Sequence, residues 1–252
     1  MNDSIFVFSI PLYYISFDRK PKSEKMYKRV GFKDIHHYPA VDGRKLDTNL
    51  LKQEGVITIR SYDDLLSGRN QHSGMPSLGA IGCYLSHYSV WRICVEKYPF
   101  IAIAEDDNGI KELSHKVCSE IKNALLKPNG AFFSVSIVKQ DHRQHFFGAH
   151  FYFLSKNACK ILVEEAFPID VQVDWYMAHM YTIGKINIEA RPISTIVYRP
   201  TSIQDTCIAC SLPKGRNFYT YAFMCVFIII LIILTVIALF QSRLKQCEMS
   251  YK

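Results

Sequence analysis

The sequence predicts an α/β fold with a mostly parallel, Rossmann-like sheet flanked by helices and one further transmembrane helix near the C-terminus. Three observations carry this. Short apolar runs alternate with segments of helical period along residues 1–198. The run Phe100 to Ala104 is apolar without a break, as a central strand covered on both faces must be. Phe218 to Phe240 carries no charge and is long enough to span a bilayer as a helix.

The elements follow in order. Ile5 to Phe17 is apolar and reads as a first strand, most strongly from Leu12. It lacks the basic start and small-residue cleavage pattern of a signal peptide. Asp18-Arg19-Lys20-Pro21 turns the chain into a helix over Lys22 to Val30, with Pro21 suited to its first turn. Ile35 to Val41 returns as a strand closed by Asp42-Gly43, and Leu46 to Glu54 is helical. Ser61 to Ser77, polar and holding Gly68, Gly74 and Pro76, reads as a mobile loop. Tyr84, Tyr88, Trp91 and Val95 recur at helical spacing. After the Phe100 strand, Val117, Ile121 and Leu125 mark another helix, stopped by Pro128-Asn129-Gly130. Ala131 to Val138 is a strand and Lys139 to Phe147 a polar loop. His150 to Leu154 is a strand, and Ser155 caps a helix reaching Ala166. Asp170 to Met180 is helical, and Lys185 to Tyr198 supplies one or two strands.

The organisation expected is a domain over 1–198, a linker over 199–217, a membrane helix over 218–240 and a short tail over 241–252. Such a chain is tail-anchored in a membrane, with its main domain in the cytosol or on a virion surface. Basic residues flank the apolar segment on both sides (Lys214 and Arg216, Arg243 and Lys245), so charge does not orient it. The net charge of +7 permits attraction to anionic lipid or sulfated glycan. No long Lys/Arg run or known motif supports a nucleic-acid partner. Of eight cysteines, Cys83, Cys94, Cys118 and Cys159 lie in apolar helical contexts and read as buried thiols. Cys207 and Cys210 form one C-x-x-C without a second ligand pair for zinc.

The chemistry concentrates in Glu105-Asp106-Asp107, which ends the central strand. A strand end is where open α/β folds bind ligands, and clustered carboxylates there can hold Mg²⁺ or Mn²⁺. Alone, the triplet could equally be a solvated turn or a helix cap; its place after a buried strand favours the site. Asp18 and Arg19 follow the first strand, where an Arg suits a diphosphate; an ordinary basic turn explains them as well. Gly43 after Asp42 permits close ligand approach or simply makes a turn. Asp174 could take a proton from an acceptor hydroxyl or be an exposed helix residue. His87 reads as a packed core histidine or as a residue that orients a carboxylate. His142, His145 and His150 have no compact metal-ligand spacing and read as surface loop.

Six blocks in order resemble glycosyltransferase family 25. They are YYISFDRKPKSEKMYKRVGF, HHYPAVDGRKL, GAIGCYLSHYSVW, PFIAIAEDD, GAHFYFLSKNACKILVE and PIDVQVDWYM, and the likeness covers roughly Leu12 to Tyr198. The resemblance implies a GT-A fold and inverting transfer of galactose or glucose from a UDP-sugar to a glycan, protein or lipid acceptor. It implies a divalent metal held by Glu105 and Asp107, donor contacts from Asp18, Arg19, Asp42, Gly43 and Asp106, and Asp174 as the catalytic residue. The chain departs from the family at Ser16-Phe17, where Asn-Leu is usual, and in the loop Lys139 to Phe147. In its order of helix, acidic strand and apolar tail it is also similar to a poxvirus envelope protein with a glycosyltransferase-like domain. That second resemblance implies binding of cell-surface sulfated glycans without catalysis.

Overall fold

The computed structural model describes residues 2–67, 74–110, 112–134, 138–140, 143–145 and 148–196. The apolar segment Phe218 to Phe240, the C-x-x-C and His142 lie outside the described residues. No helix among the described residues is long and apolar enough to cross a membrane.

The chain runs α1 (Asp3–Phe8), β1 (Leu12–Ser16), α2 (Pro21–Val30), β2 (Ile35–Pro39), a 3₁₀ turn (Gly43–Lys45), α3 (Thr48–Gln53), α4 (Ile59–Ser67), α5 (Leu78–Lys97), β3 (Phe100–Glu105) and β4 (Asn108–Ile110). It continues with α6 (His115–Leu126), β5 (Gly130–Phe133), β6 (Val138–Gln140), β7 (Arg143–His145), β8 (Phe151–Ser155), α7 (Lys156–Glu164), α8 (Val173–Thr182), β9 (Asn187–Ala190) and β10 (Ser194–Ile196). Side-chain caps set several starts. Ser77 Oγ accepts from Ala80 N at α5, Ser114 Oγ from Val117 N at α6, and Ser155 Oγ from Ala158 N at α7.

Six strands form one sheet in the order β2-β1-β3-β8-β5-β9. The α/β class and flanking helices are as expected, but the sheet is mixed rather than mostly parallel in its pairing. β8 runs antiparallel to both β3 and β5, while β1 pairs in parallel with β2 and β3. The reason is connective. Among the described residues no helix lies between β5 and β8, and β8 enters from the Gly148–His150 turn, at the sheet edge where β3 ends.

Both faces of the sheet are covered, which explains the unbroken apolar run of β3. Ile101 and Ile103 pack with Tyr84, Val90, Trp91 and Met177 from α5 and α8. Ala102 and Ala104 pack with Val7, Tyr27, Val117 and Ile121 from α1, α2 and α6. Strand residues alternate between faces, so Glu105 shares the α5 side with Ile101 and Ile103. Burial of this kind makes truncation costly: an Ile103→Ala change in such a core removes about 2–5 kcal/mol.

Three local expectations are corrected. The strand expected from Ile5 begins only at Leu12, because residues 3–8 are helical. Asn2 caps that helix through Ser4 N, and Val7 is fully buried against the α6 layer. Residues 61–67 of the expected loop belong to α4. Thr58 Oγ1 accepts from Ser61 N, Ser61 Oγ donates to Ile169 O, and Tyr62 and Leu65 pack on the core. The segment read as the loop Lys139 to Phe147 contributes to an antiparallel hairpin of β6 and β7, outside the main sheet.

Candidate active site

The carboxyl ends of β1, β2 and β3 meet at one edge of the sheet. Ser16 pairs with Pro39 and Ile15 with Glu105, so Asp18, Asp42 and the acidic triplet all leave the sheet together. β8 is reversed, so its beginning lies at that same edge. His150 O accepts from Glu105 N at 2.9 Å. The antiparallel strand thus delivers His150 to the acidic turn.

Glu105 is the centre of the cluster. Its Oε1 lies 3.1 Å from His87 Nε2 and its Oε2 lies 3.1 Å from His150 Nδ1. Asp107 Oδ1 lies 3.4 Å from the same His150 nitrogen. Burial by itself would raise the Glu105 pKa, but the hydrogen bonds from His150 and His87 outweigh it and hold the carboxyl well below the usual carboxylate range. Burial would lower the His150 pKa. The adjoining Asp107 and Glu105 carboxylates reverse that and raise it to about 10. The two shifts agree on an ion pair of imidazolium with two carboxylates.

Single atoms of Glu105, Asp107 and His150 lie within 4.8 Å of one another, as metal ligands would. Asp107 Oδ1 is buried and, among the described residues, has only the long 3.4 Å contact with His150 Nδ1 and no full hydrogen bond, so it has lone-pair capacity left for a cation. Two carboxylates and an imidazole suit Mn²⁺ better than Mg²⁺, which prefers oxygen alone. The residues therefore fit a divalent cation, provided His150 gives up its Nδ1 proton. Cys83, His87 and Glu105 also cluster. Burial raises the Cys83 pKa well above its ordinary value and keeps it a thiol, which makes that set the poorer ligand shell.

Asp174 stands in the first turn of α8. Its Oδ2 accepts from Gly148 N at 2.9 Å and its Oδ1 from Trp175 N at 2.9 Å. Burial raises its pKa, the two backbone N–H groups oppose this, and the Glu105 charge adds to the rise. Gly148 joins Asp174 to the acidic cluster. Its φ is +95°, and a Cβ there would lie 2.3 Å from His150 Nε2. An open cleft of about 660 Å³ runs along α8, lined by Tyr84, Trp175, Tyr176, His179, Arg60 and Asp170.

The other predicted residues stand apart. Arg19 is exposed and forks onto Glu24, at 2.6 Å through Nε and 3.2 Å through Nη2. Asp18 is exposed. Asp42 accepts from the Arg44 backbone and side chain. Asp106 Oδ2 lies 4.0 Å from Lys20 Nζ. Gly43 is buried against α5, where a Cβ would lie 2.0 Å from Leu78 O. Gly82 makes the reciprocal approach, where a Cβ would lie 2.5 Å from Val41 O. Ser86 fastens the same contact: its Oγ accepts from Val41 N at 2.9 Å and donates to Gly82 O at 2.7 Å. Adjacent residues of α5 thus hold two parts of the edge, Ser86 the Asp42 loop and His87 Glu105.

His87 is both a buried core residue and a partner of the carboxylate, which joins the two alternatives the sequence left open. His150 and Gly148 are the residues sequence reasoning missed. A signal was present in the order Gly148-Ala149-His150 just before a strand, but its value depends on that strand being reversed.

Residues 10–145 match the family model for glycosyltransferase family 25, described as an LPS biosynthesis protein. A "Glycosyltransferase 25 family member" of Drosophila melanogaster is 36% identical over 91 residues, covering 36% of this chain and 14% of the relative. One from Aedes aegypti is 26% identical over 192 residues, covering 68% and 30%. The mouse "Inactive glycosyltransferase 25 family member 3" is 38% identical over 74 residues, covering 29% and 12%. The chain thus spans less than a third of the length of these relatives.

Proposed function

The chain belongs to glycosyltransferase family 25, and from that premise we propose that it moves a hexose from a UDP-sugar to an acceptor hydroxyl with inversion. The observation that carries this reading is the convergence of Glu105, Asp107 and His150 at one sheet edge, tied through Gly148 to Asp174. Glu105, Asp107 and a deprotonated His150 would hold Mn²⁺, or Mg²⁺ less well. When bound, the cation supplies a Lewis acid for the departing diphosphate. Arg19 and Asp18, beyond the end of β1, and Asp42 and Asp106 at the same edge contact the donor; Gly43 lets the Asp42 loop lie close on α5.

Asp174 takes the acceptor proton as the hydroxyl oxygen attacks the anomeric carbon and the bond to the diphosphate breaks. Its raised pKa suits a carboxylate base, because a stronger base removes the proton more readily. The α8 cleft combines aromatic rings with Arg60, Asp170 and His179, a lining suited to an acceptor sugar, and Trp175 adjoins Asp174. The apolar segment Phe218 to Phe240 anchors the chain in a membrane, with the family domain on the cytosolic side or a virion surface.

The test is UDP release by the full-length chain over a panel of UDP-sugars with Mn²⁺. Release that stops on chelation and in Asp107→Ala supports the reading. A second reading is favoured by the relatives named inactive: glycan binding on the same fold without transfer, aided by the net charge of +7. Salt-sensitive binding of sulfated glycan with no UDP release would establish it in place of the first.

A further inference from the structure

A buried line of hydrogen bonds ends on Glu105. Trp91, His87 and Tyr152 are each 0% exposed. Trp91 Nε1 donates to Tyr152 Oη at 3.0 Å. Tyr152 Oη lies 2.6 Å from His87 Nδ1, and His87 Nε2 lies 3.1 Å from Glu105 Oε1. The two ends set the direction of every bond between them. An indole N–H only donates, and an ionised carboxylate only accepts. Tyr152 accepts from Trp91 and has a single proton to give. Its partner is His87 Nδ1, which must then be bare. The ring proton sits on Nε2 and is donated to Glu105.

Packing holds the rings in place. His87 stacks on Tyr152 at 5.7 Å and 22°, and Phe133 stacks on Tyr152 at 4.8 Å and 6°. Both partners of His87 lie on the α5 face of the sheet, where a strand pairing and a helix fix their separation.

We propose that His87 is a positioning residue, locked by Tyr152 and Trp91 as its Nε2–H tautomer, which pins Glu105 Oε1 and leaves Oε2 facing His150. The inference rests on Glu105 belonging to the donor site proposed above, yet the tautomer is measurable without any turnover.

The experiment is two-bond ¹H–¹⁵N correlation spectroscopy of the full-length chain with labelled histidine, the His87 signals being identified by their loss in His87→Gln. The expected result is the Nε2–H tautomer in the wild type. An Nδ1–H or doubly protonated ring in the wild type overturns the inference. UDP release supplies the second arm. A Gln side chain can offer its N–H near the place of Nε2, whereas Asn reaches only as far as Nδ1. His87→Asn should therefore lose at least about tenfold more kcat than His87→Gln. Equal losses, with both variants folded, overturn the positioning role. A wild type that releases no UDP fails the transferase reading alone; the spectra then still decide this inference.

Discussion

The two sides of the site edge are built differently. On the parallel side, at the ends of β1 and β2, Asp18 and Arg19 are exposed, and Arg19 and Asp42 are occupied by neighbours in sequence, Glu24 and Arg44. At the antiparallel junction of β3 and β8, Glu105, Asp107 and His150 are largely buried and bond across long stretches of chain. This contrast locates the groups that are held in place before any ligand arrives. Charges at an exposed turn can rearrange around a ligand at little cost, since exposed ion pairs contribute only about 0–1 kcal/mol. Charges held by buried partners are preorganised, and preorganised groups act without rearrangement during reaction.

The sharpest way to break this contrast is at the junction. Asp107→Ala or Glu105→Gln should lower UDP release by about 10²–10³-fold, measured under donor saturation. Asp174→Asn removes the proposed base and should lower kcat by about 10²–10⁴-fold with little change in donor KM. Junction variants that keep near-normal release would show that its buried network serves the fold alone.

Gly148→Ala tests the link between the two carboxylate groups. A side chain at φ +95°, aimed at the His150 ring, should cost about 1–3 kcal/mol of stability, seen in the denaturant midpoint. An unchanged midpoint would mean that the turn relaxes freely.

The stability of the junction depends on pH through His150 and Glu105. His150 has a folded pKa raised to about 10 from 6.5. Its contribution is complete below 6.5 and is lost progressively as pH rises through about 10. Glu105 has a lowered pKa, so its contribution is complete above the ordinary value of 4.5 and is lost as pH falls through the lowered one. Metal-free protein should thus lose stability steadily on the alkaline side, and His150→Gln should flatten that limb. A limb that persists in the variant assigns it to other groups.

The smallest effect belongs to the parallel side. Arg19→Ala should leave the denaturant midpoint nearly unchanged, because water screens this exposed ion pair. It should still raise the donor KM about tenfold at constant kcat if the guanidinium meets the diphosphate. No change in KM would leave the parallel side as scaffold.

Much of this site was legible in the residues themselves. The acidic triplet after an unbroken apolar run marked the end of a strand covered on both faces, and β3 ends at Glu105. The Gly79 to Trp91 block marked the helix that packs on that strand, where Gly82 and Ser86 meet the Asp42 loop. Other parts were hidden by local composition. The segment 61–67 looked like loop because its helix is stabilised by distant partners, the Ile169 carbonyl and the core beneath Tyr62 and Leu65. The helix before β1 was masked by apolar residues that suit either state, and its Asn2 cap decided the matter.

Alternation of polar and apolar residues, strand ends and caps are local properties, so the α/β class, the family and the place of Glu105, Asp106 and Asp107 can be read from the residues alone. Strand direction is not local. A short apolar run reads the same whichever way it enters a sheet, because side chains alternate identically in both directions. The reversal of β8 is set by its long-range pairing with β3 and β5. That reversal brings His150 and Gly148 to the acidic edge, sets Tyr152 beside His87, and turns a row of carboxylates into a buried, oriented cluster.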